Sequence, residues 1–297
     1  MIPVMSITRT RRTAAAVLAA GLLALGGCTI GDVDGAGDPV APAASEGPAA
    51  DAPDPTPGAG APEKSTPAPA PGGAAAAPRA GTLAGRLIYL DPGHAGTPPP
   101  AEEMVTDGRG GVKQCNTTGT AADDGWPEHT FNWELAGRLR ALLEDAGAEV
   151  RLTRADDVGR APCIDERART ENDSGADAVI SIHADGNGEG ARGFHVSHIA
   201  DPLPGNLPAE SAALAGAIRD AMLEAGFTAS NYLGAGGIHP RADLTGLNLS
   251  TRPKVLVEFG NMRDSADIAL LRSAEGQDRL AAAVAAAVAA GIAAYLG

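Results

Sequence analysis

The sequence has few aromatic residues and few cysteines. Aromatic side chains make up 3% of the 297 residues, whereas glycine occurs 39 times and proline 23 times. A chain of this composition cannot pack densely along its whole length, because large apolar side chains supply much of the buried area of a core. Three cysteines cannot form the dense disulfide framework of a small stapled fold. Where the chain folds, a hydrophobic core must therefore stabilise it.

Basic residues are also scarce. Lys and Arg total 23 against 37 Asp and Glu, which gives a formal net charge of −14 at pH 7. Proteins that bind nucleic acid present clustered cations to the phosphate backbone. We therefore expect no nucleic-acid partner, and we expect the chain to be a monomer.

Residues 1–27 have the pattern of an export signal. Three arginines and no acidic residue precede an apolar run from Ala14 to Leu25. The run is shorter than the ~20 residues that a membrane-spanning helix needs. The stretch LGGC, which ends at Cys28, resembles the lipobox of bacterial lipoproteins, in which the cysteine is acylated. We predict a lipoprotein signal peptide over 1–27 and a lipid anchor on Cys28, facing the cell-wall or periplasmic space. Ordinary secretion with an unmodified cysteine is the alternative.

Residues 28–83 have the composition of a tether. They hold nearly half of the 23 prolines, many alanines and glycines, and no aromatic residue. Such a segment cannot bury enough apolar surface to offset the entropy of ordering it. We predict a disordered Ala/Pro/Gly-rich linker over 28–83, which connects the lipidated cysteine to one folded domain over 84–297.

From residue 84 onward, strand-like and helix-like patterns alternate, which is typical of an α/β fold. The predicted strands are 86–91, 148–153, 177–183 and 253–259, and the predicted helices begin near Pro127 or cover 165–174, 207–225 and 275–296. The third and fourth strands are continuous apolar runs, as in a parallel sheet buried on both faces. We predict a single α/β domain with a mostly parallel central sheet flanked by helices on both faces.

Four side chains suited to metal chemistry lie at the ends of these elements. His94 follows the first strand after a Pro-Gly turn, and Glu128 is in the first turn of the first helix. His183 ends the third strand and Glu258 lies in the fourth. Ligands of open α/β sheets bind at strand ends. Two imidazoles and one carboxylate can hold Zn²⁺ with a position open for water, and a second carboxylate can accept a proton from that water.

Each of these residues also has an ordinary structural explanation. Either histidine could be bonded to backbone, and Glu128 could be an acid that the helix dipole favours. Glu258 is harder to explain, because a carboxylate in an apolar strand is costly unless it is paired, metal-bound or in a cavity. The candidate ligands come from distant segments, so their spacing alone does not establish the geometry.

Around these residues lie four longer segments, which are, in chain order, YLDPGHAG, PEHTFNWELAGRLRALLEDAGAEVRLTR, VISIHADGN and RPKVLVEFGNM. Together they resemble the zinc-dependent N-acetylmuramoyl-L-alanine amidases of the amidase_3 family, and the resemblance covers nearly all of residues 86–296. It implies that His94, Glu128 and His183 are zinc ligands and that Glu258 is the catalytic glutamate. The implied substrate is peptidoglycan or a muropeptide, cut between the lactyl group of N-acetylmuramic acid and L-alanine.

The segment 241–253 resembles the family's substrate-side loop, which makes Arg241 and Asn248 candidates for contacts with the peptide or sugar. The alternative is a solvated loop in which Arg241 pairs with a neighbouring acid, a contact worth ~0 to 1 kcal/mol. Asp91 and Asp185 could orient the ligand imidazoles. The other histidines are expected to be structural or exposed; they are His129, His195, His198 and His239.

Cys115 and Cys163 lie in polar, loop-like sequence on a chain expected to be exported, where disulfides persist. We predict a disulfide between them, which would pin the glycine-rich insertion 95–125 to the domain. Two free thiols, or one thiol acting as a metal ligand, are the alternatives. The insertion could cover the zinc as a flap.

Two other functions use the same sequence features. One is a zinc peptidase or another amidohydrolase that cuts a different bond in wall peptides. The other is a noncatalytic wall-binding lipoprotein that keeps the fold. The presence of all four candidate side chains argues against the noncatalytic form.

The lipid anchor is testable on the mature N-terminus. We expect mass spectrometry of the protein from membranes to find a chain that begins at Cys28 and carries a diacylglyceryl group. Cys28→Ser should move the protein from the membrane fraction to the soluble fraction. An unmodified N-terminus at another residue would contradict the anchor.

Overall fold

The structure is a computed structural model that describes residues 77–296. The predicted signal peptide, Cys28 and the linker up to residue 76 lie outside the described residues. At the predicted end of the linker, Leu83 is buried and its amide donates to the carbonyl of Ala146 at 2.9 Å. The packed domain therefore begins before residue 84. The composition of the linker did not indicate this single apolar contact.

Residues 77–296 form seven strands and six helices. The strands are β1 (Leu87–Pro92), β2 (Met104–Thr106), β3 (Val112–Gln114), β4 (Glu149–Leu152), β5 (Ala178–Asp185), β6 (His195–Ser197) and β7 (Lys254–Asn261). The helices are α1 (Glu128–Asp145), α2 (Ile164–Ser174), α3 (Pro208–Glu224), α4 (Thr245–Asn248), α5 (Ser265–Arg272) and α6 (Ala274–Leu296). Every predicted strand and helix corresponds to one of these elements. Pro127 is the N-cap of α1, with an extended backbone (φ −83°, ψ 150°), so the helix begins one residue after it.

Five strands form the central sheet in the order β4-β1-β5-β7-β6, and β2 pairs only with β3 in a separate hairpin. The strands β4, β1, β5 and β7 run parallel, and β6 runs antiparallel to β7. The prediction of an α/β domain with a mostly parallel sheet is confirmed. Helices cover both faces of the sheet: α1 and α3 pack on one, and α2 and α4 lie against the other.

The two faces of this sheet differ in chemistry. Toward α1, α3 and α6 the inner strands present apolar side chains, namely Ile88, Leu90, Ile180, Ile182, Val255 and Val257. Toward α2 and α4 the same strands present mainly polar side chains, namely Asp91, Ser181, His183, Lys254 and Glu258. Successive residues of a strand point to opposite faces, which separates the two sets. Both faces are covered by helices, as predicted, and the polar positions of these strands form a site.

The last helix, α6, is long and apolar enough to cross a membrane by length and composition, with a mean hydropathy of 1.8. Half of its most apolar window is buried inside the protein, however, and it packs along α3 and α1. Gly291 allows α6 to approach α3 closely, since a Cβ at this position would lie 3.0 Å from Cδ1 of Leu214. These contacts are those of a core helix.

Cys115 and Cys163 form a disulfide that joins residues separated by 48 positions. Cys163 is also the N-cap residue of α2, and the amide of Ile164 donates to the carbonyl of Cys115 at 2.8 Å. The predicted disulfide is confirmed, and the alternatives of free or metal-binding thiols are wrong. The insertion 95–125 is thereby attached to the start of α2.

Removing the disulfide should destabilise the domain. Closing a loop of 48 residues restricts the unfolded chain, and the double substitution Cys115→Ser/Cys163→Ser should lower the free energy of unfolding by ~4 kcal/mol. Urea denaturation followed by circular dichroism measures this loss. Cys28→Ser is the matched control and should leave the domain's stability unchanged. A loss below ~1 kcal/mol in the double variant would show that the crosslink contributes little.

Candidate active site

His94 stands at the carboxyl end of β1 in a conformation that L-residues seldom adopt. Its φ is 61°, and it is the only non-glycine residue with positive φ among residues 77–296. Such strain, of about 1–3 kcal/mol, persists where the surroundings fix the backbone, and it is concentrated at functional sites. The buried guanidinium of Arg167 donates to the carbonyls of Pro92 and His94 at 3.0 and 2.8 Å. These bonds hold the turn that carries His94.

The residue before His94 is glycine because β1 ends against the ring of His183. A Cβ on Gly93 would lie 2.1 Å from Cε1 of that ring. His183 comes from β5, which pairs with β1 in the sheet. The two imidazoles meet edge to face with their centroids 4.9 Å apart. The pairing of β1 with β5 thus brings together two candidate ligands that are distant in sequence.

Glu128, the first residue of α1, lies between these two rings. Its Oε2 is 3.1 Å from Nε2 of His94, and its Oε1 is 3.0 Å from Nδ1 of His183. The backbone amides of Thr120 and Ala184 donate to the same carboxylate at 2.9 and 3.2 Å. Burial opposes the charged form, but the two imidazoles hold the pKa of Glu128 well below its usual value. The carboxylate is therefore ionised in the folded protein.

The other nitrogen of His94 is bonded to the insertion. Its Nδ1 lies 2.9 Å from the carbonyl oxygen of Thr117, which can only accept a hydrogen bond, so Nδ1 carries a proton. Burial lowers the pKa of His94. The negative charge of Glu128 and the hydrogen bond to it together outweigh burial, so the pKa of His94 lies above its usual value.

The three predicted ligands meet in space. One donor atom from each of His94, Glu128 and His183 lies within 4.8 Å of the other two. Two imidazoles and one carboxylate are a donor set that catalytic zinc sites use, with the remaining position left to water or substrate. The residues present therefore fit a divalent metal ion.

Glu258 lies beside this donor set. In the sheet it pairs with His183 of β5 on one side and with His195 of β6 on the other. Its Oε2 is buried and has no hydrogen-bond partner among the described residues. Burial, with the nearby charges of Glu128 and Asp185, raises the pKa of Glu258 well above its usual value. A raised pKa strengthens this carboxylate as a base, and a general base must accept a proton during the reaction.

These side chains line a cavity of about 570 Å³. One wall is the insertion, with Lys113, Gln114, Asn116, Thr117, Gly119 and Thr120. Another part of the wall is the segment that contains α4, with Leu244, Thr245, Gly246 and Leu247. The insertion is thus part of the site, and its hairpin is fixed at both ends, by the disulfide and by bonds to the segment 242–248.

A buried ion-pair network lies under the cavity. Asp91 accepts from Arg167 at 2.8 Å, and Lys254 donates to Glu171 at 2.6 Å and approaches Asp91 at 3.5 Å. Lys254 and Arg167 hold the pKa of Asp91 far below its usual value despite its burial. Asp91 thus supports the floor of the cavity. The expectation that it orients a ligand imidazole is wrong, because its oxygens bind other partners; Asp185, likewise, accepts from Tyr232.

Arg241 and Asn248 do not line the cavity. Arg241 donates twice to Asp243, at 2.7 and 2.6 Å, which is the alternative that the sequence left open. Asn248 is buried, donates to the carbonyl of Asp107 at 2.9 Å and accepts from Arg109 at 3.2 Å. Both ends of its amide are occupied, so Asn248 fastens the β2–β3 hairpin. The substrate contacts expected for these two residues have no support in this structure.

The other four histidines lie outside the ligand set, as expected. His129 pairs with Asp157 at 2.8 Å, and His198 bonds the carbonyl of Ile199 at 3.0 Å. The rings of His195 and His239 pack edge to face behind Glu258, with their centroids 5.2 Å apart.

The comparisons with known proteins agree with this geometry. The family Amidase_3, described as N-acetylmuramoyl-L-alanine amidase, matches residues 88–290. The chain belongs to the Amidase_3 family. This confirms the family predicted from the sequence, and with it the prediction of an enzyme of the amidase class.

Relatives of this Amidase_3 chain include proteins of mycobacteria. The N-acetylmuramoyl-L-alanine amidase Rv3717 of Mycobacterium tuberculosis is 43% identical over 203 residues, which cover 68% of this chain and 84% of that protein. The crystal structure of Ami1, an N-acetylmuramyl-L-alanine amidase from Mycobacterium smegmatis, is 41% identical with a TM-score of 0.70, covering 71% of this chain and 99% of that one. Apo Ami1 from Mycobacterium abscessus is 45% identical with a TM-score of 0.68, covering 72% and 100%.

Several residues of this Amidase_3 site were not predicted. Thr117 and Thr120 act through backbone groups, which leave no mark on side-chain patterns. Lys254, like Glu258, is a charged residue inside an apolar strand, and it could have been predicted on that ground. Tyr232 lies in a glycine-rich loop, and only the folded structure places it beside Asp185.

A glycine of the insertion should control metal binding by the Amidase_3 site. Gly119 has φ +77°, and a Cβ there would lie 2.6 Å from Oε2 of Glu128 and 2.7 Å from Cδ2 of His94. We expect Gly119→Ala to weaken the binding of a divalent metal ion by about 10- to 100-fold, since the added Cβ displaces two of the candidate ligands. Titration of the metal-free protein with zinc measures this.

The matched control is Gly110→Ala in the same insertion. Gly110 has φ +90°, but a Cβ there would meet nothing within 4 Å. This variant has a comparable backbone strain without the clash, so its zinc affinity should equal that of the wild type. Equal losses in both variants would attribute the effect to backbone strain alone.

Proposed function

We propose that this chain hydrolyses the amide bond between the lactyl group of N-acetylmuramic acid and the L-alanine of the stem peptide. In this proposal His94, Glu128 and His183 hold zinc, and Glu258 is the general base. The observation that carries the proposal is the unpartnered Oε2 of Glu258, which is buried beside a converging set of two imidazoles and one carboxylate. The family and the amidase relatives support the class of reaction.

When bound, zinc polarises the amide carbonyl and lowers the pKa of a water molecule. Glu258 accepts a proton from that water at its carboxylate and later gives it to the nitrogen of the leaving L-alanine. Its raised pKa suits it to both transfers. Thr117 and Thr120, through their backbone groups, keep His94 and Glu128 in their orientation during the reaction.

The size of the cavity is consistent with this substrate. About 570 Å³ is within the range of small-molecule sites and holds an amide with its neighbouring groups. The rest of a glycan strand would lie outside a cavity of this size.

We place the enzyme outside the cytoplasmic membrane, at the wall, as its amidase relatives imply. The lipid anchor at Cys28 and the linker over 28–83 are part of this proposal, and the lipobox-like stretch LGGC supports them. The anchor would keep the catalytic domain near the membrane while the linker sets its reach.

Substitution of the general base tests the mechanism. Glu258→Gln keeps the shape of the side chain but cannot accept the proton, so we expect turnover to fall by about 10²- to 10⁴-fold. Zinc should remain bound, because Glu258 is not a ligand in this proposal. Glu275→Gln on the exposed start of α6 is the matched control and should keep full activity.

Mass spectrometry of the products identifies the bond that is cut. The proposal predicts muramic acid with a free lactyl carboxylate and peptides with a new N-terminal alanine. Near-normal hydrolysis by Glu258→Gln would contradict the role of Glu258. Cleavage within the stem peptide would instead indicate a peptidase on the same scaffold.

A further inference from the structure

The carboxylate of Asp185 also lines the cavity and has no part in the mechanism above. Asp185 ends β5, two residues after the ligand His183, and the intervening Ala184 is buried in the core on the other side. The pairing of β5 with β7 is irregular between His183, which pairs with Glu258, and Asp185, which pairs with Asn261. Asp185 lines the cavity together with His183 and Glu258.

One oxygen of Asp185 is already bonded. The hydroxyl of Tyr232 donates to Oδ2 at 2.9 Å. Nδ1 of His195 lies 3.9 Å from the same oxygen, which is too far for a hydrogen bond. Among residues 77–296, no donor lies within hydrogen-bonding distance of Oδ1, and this oxygen is not among the fully buried ones. Oδ1 is therefore an acceptor that is free to meet a ligand.

Among residues 77–296, no cationic group lies within hydrogen-bonding distance of this carboxylate, although the charges of His183 and Arg241 act on it from farther away. Burial and the neighbouring His239 lower the pKa of His195 to about 4, so His195 is neutral at pH 7. Burial and the charge of Asp185 raise the pKa of Tyr232, which is also neutral. A carboxylate in a cavity lined by three others, those of Asp91, Glu128 and Glu258, is costly unless a donor or a cation meets it. The site therefore has a free acceptor that a donor group of the substrate can meet.

We propose that Oδ1 of Asp185 accepts a hydrogen bond from the N–H of the scissile amide, and this proposal rests on the function proposed above. A secondary amide is trans, so its N–H points away from its carbonyl oxygen. When the carbonyl faces the donor set of His94, Glu128 and His183, the N–H is directed away from that set. Asp185 lies beyond His183 along β5 and provides the acceptor there.

Asp185 and Glu258 then have separate tasks at the same nitrogen. Glu258 gives a proton to the nitrogen lone pair as the carbon–nitrogen bond breaks. Asp185 gains no proton; it holds the hydrogen that the nitrogen already carries, and this turns the lone pair toward Glu258. Tyr232 is a positioning residue, because its hydroxyl occupies Oδ2 and leaves Oδ1 toward the cavity.

Asp185→Asn reverses the hydrogen bond without changing the shape of the side chain. The hydroxyl of Tyr232 needs an acceptor, so the amide oxygen of asparagine turns toward it and the NH₂ group faces the cavity. Two donors then oppose each other, and kcat/KM for the amide substrate should fall by about 10- to 100-fold. Zinc content and Tm should match those of the wild type.

The double variant Asp185→Asn/Tyr232→Phe separates this from a structural role. Without the hydroxyl of Tyr232, the asparagine amide can turn and present its oxygen to the substrate. The double variant should therefore recover most of the activity that Asp185→Asn loses, whereas Tyr232→Phe alone should lose less than about fivefold. Losses that simply multiply in the double variant would overturn the proposal.

An ester analogue provides the decisive comparison. A muramoyl substrate in which L-lactate replaces L-alanine has an oxygen in place of the amide N–H and retains the other groups. Asp185→Asn should slow hydrolysis of the amide but not of the ester. If it slows both equally, Asp185 does not bind the N–H.

Binding gives a second readout that does not depend on turnover. In a Glu258→Gln background, calorimetry with the zinc-loaded protein should show that Asp185→Asn raises the Kd of the uncleaved amide by about tenfold and leaves that of the ester unchanged. Equal effects on both ligands would contradict the proposal. If the wild type cleaves no muramoyl–alanine amide, the proposed function fails, and this binding comparison still decides the role of Asp185.

Discussion

The carboxylate of Glu128, bonded to both imidazoles, is the contact on which the rest of the site depends. It joins the start of α1 to the ends of β1 and β5 through His94 and His183. The amide of Thr120 ties the insertion to the same carboxylate. A buried charge without these partners would be costly, so the contact stabilises the fold only while all of them are in place. The same requirement brings three metal-binding groups to one point.

The sheet makes this arrangement possible because its two faces are built differently. One face is apolar and packs on α1, α3 and α6, which stabilises the domain. The other carries the site and, beneath it, the ion pairs of Asp91, Arg167, Lys254 and Glu171. A polar face inside a protein needs internal partners for its charges, and these pairs supply them. The insertion, which the disulfide attaches to α2, then forms one wall of the cavity.

Much of the fold and of the candidate site could be predicted from the sequence. The remaining contacts could not, and the reasons are physical. Strands and long helices follow from apolar periodicity, and a charged residue in an apolar strand, such as Glu258, is conspicuous. The helix α5 was missed although Asp264 caps it, accepting from two backbone amides. The contacts of Thr117 and Tyr232 depend on loops that approach the site only in the folded chain. Patterns within a short window of sequence carry no information on such contacts.

The central claim is that His94, Glu128 and His183 hold one zinc ion where the carboxyl ends of β1 and β5 meet the start of α1. Zinc titration of the metal-free full chain, with X-ray absorption at the zinc edge, tests it most directly. The account predicts one zinc per chain with two imidazole ligands and mixed nitrogen and oxygen coordination, and a loss of this binding in Glu128→Ala. Zinc bound by Glu128→Ala with the affinity and spectrum of the wild type would contradict it.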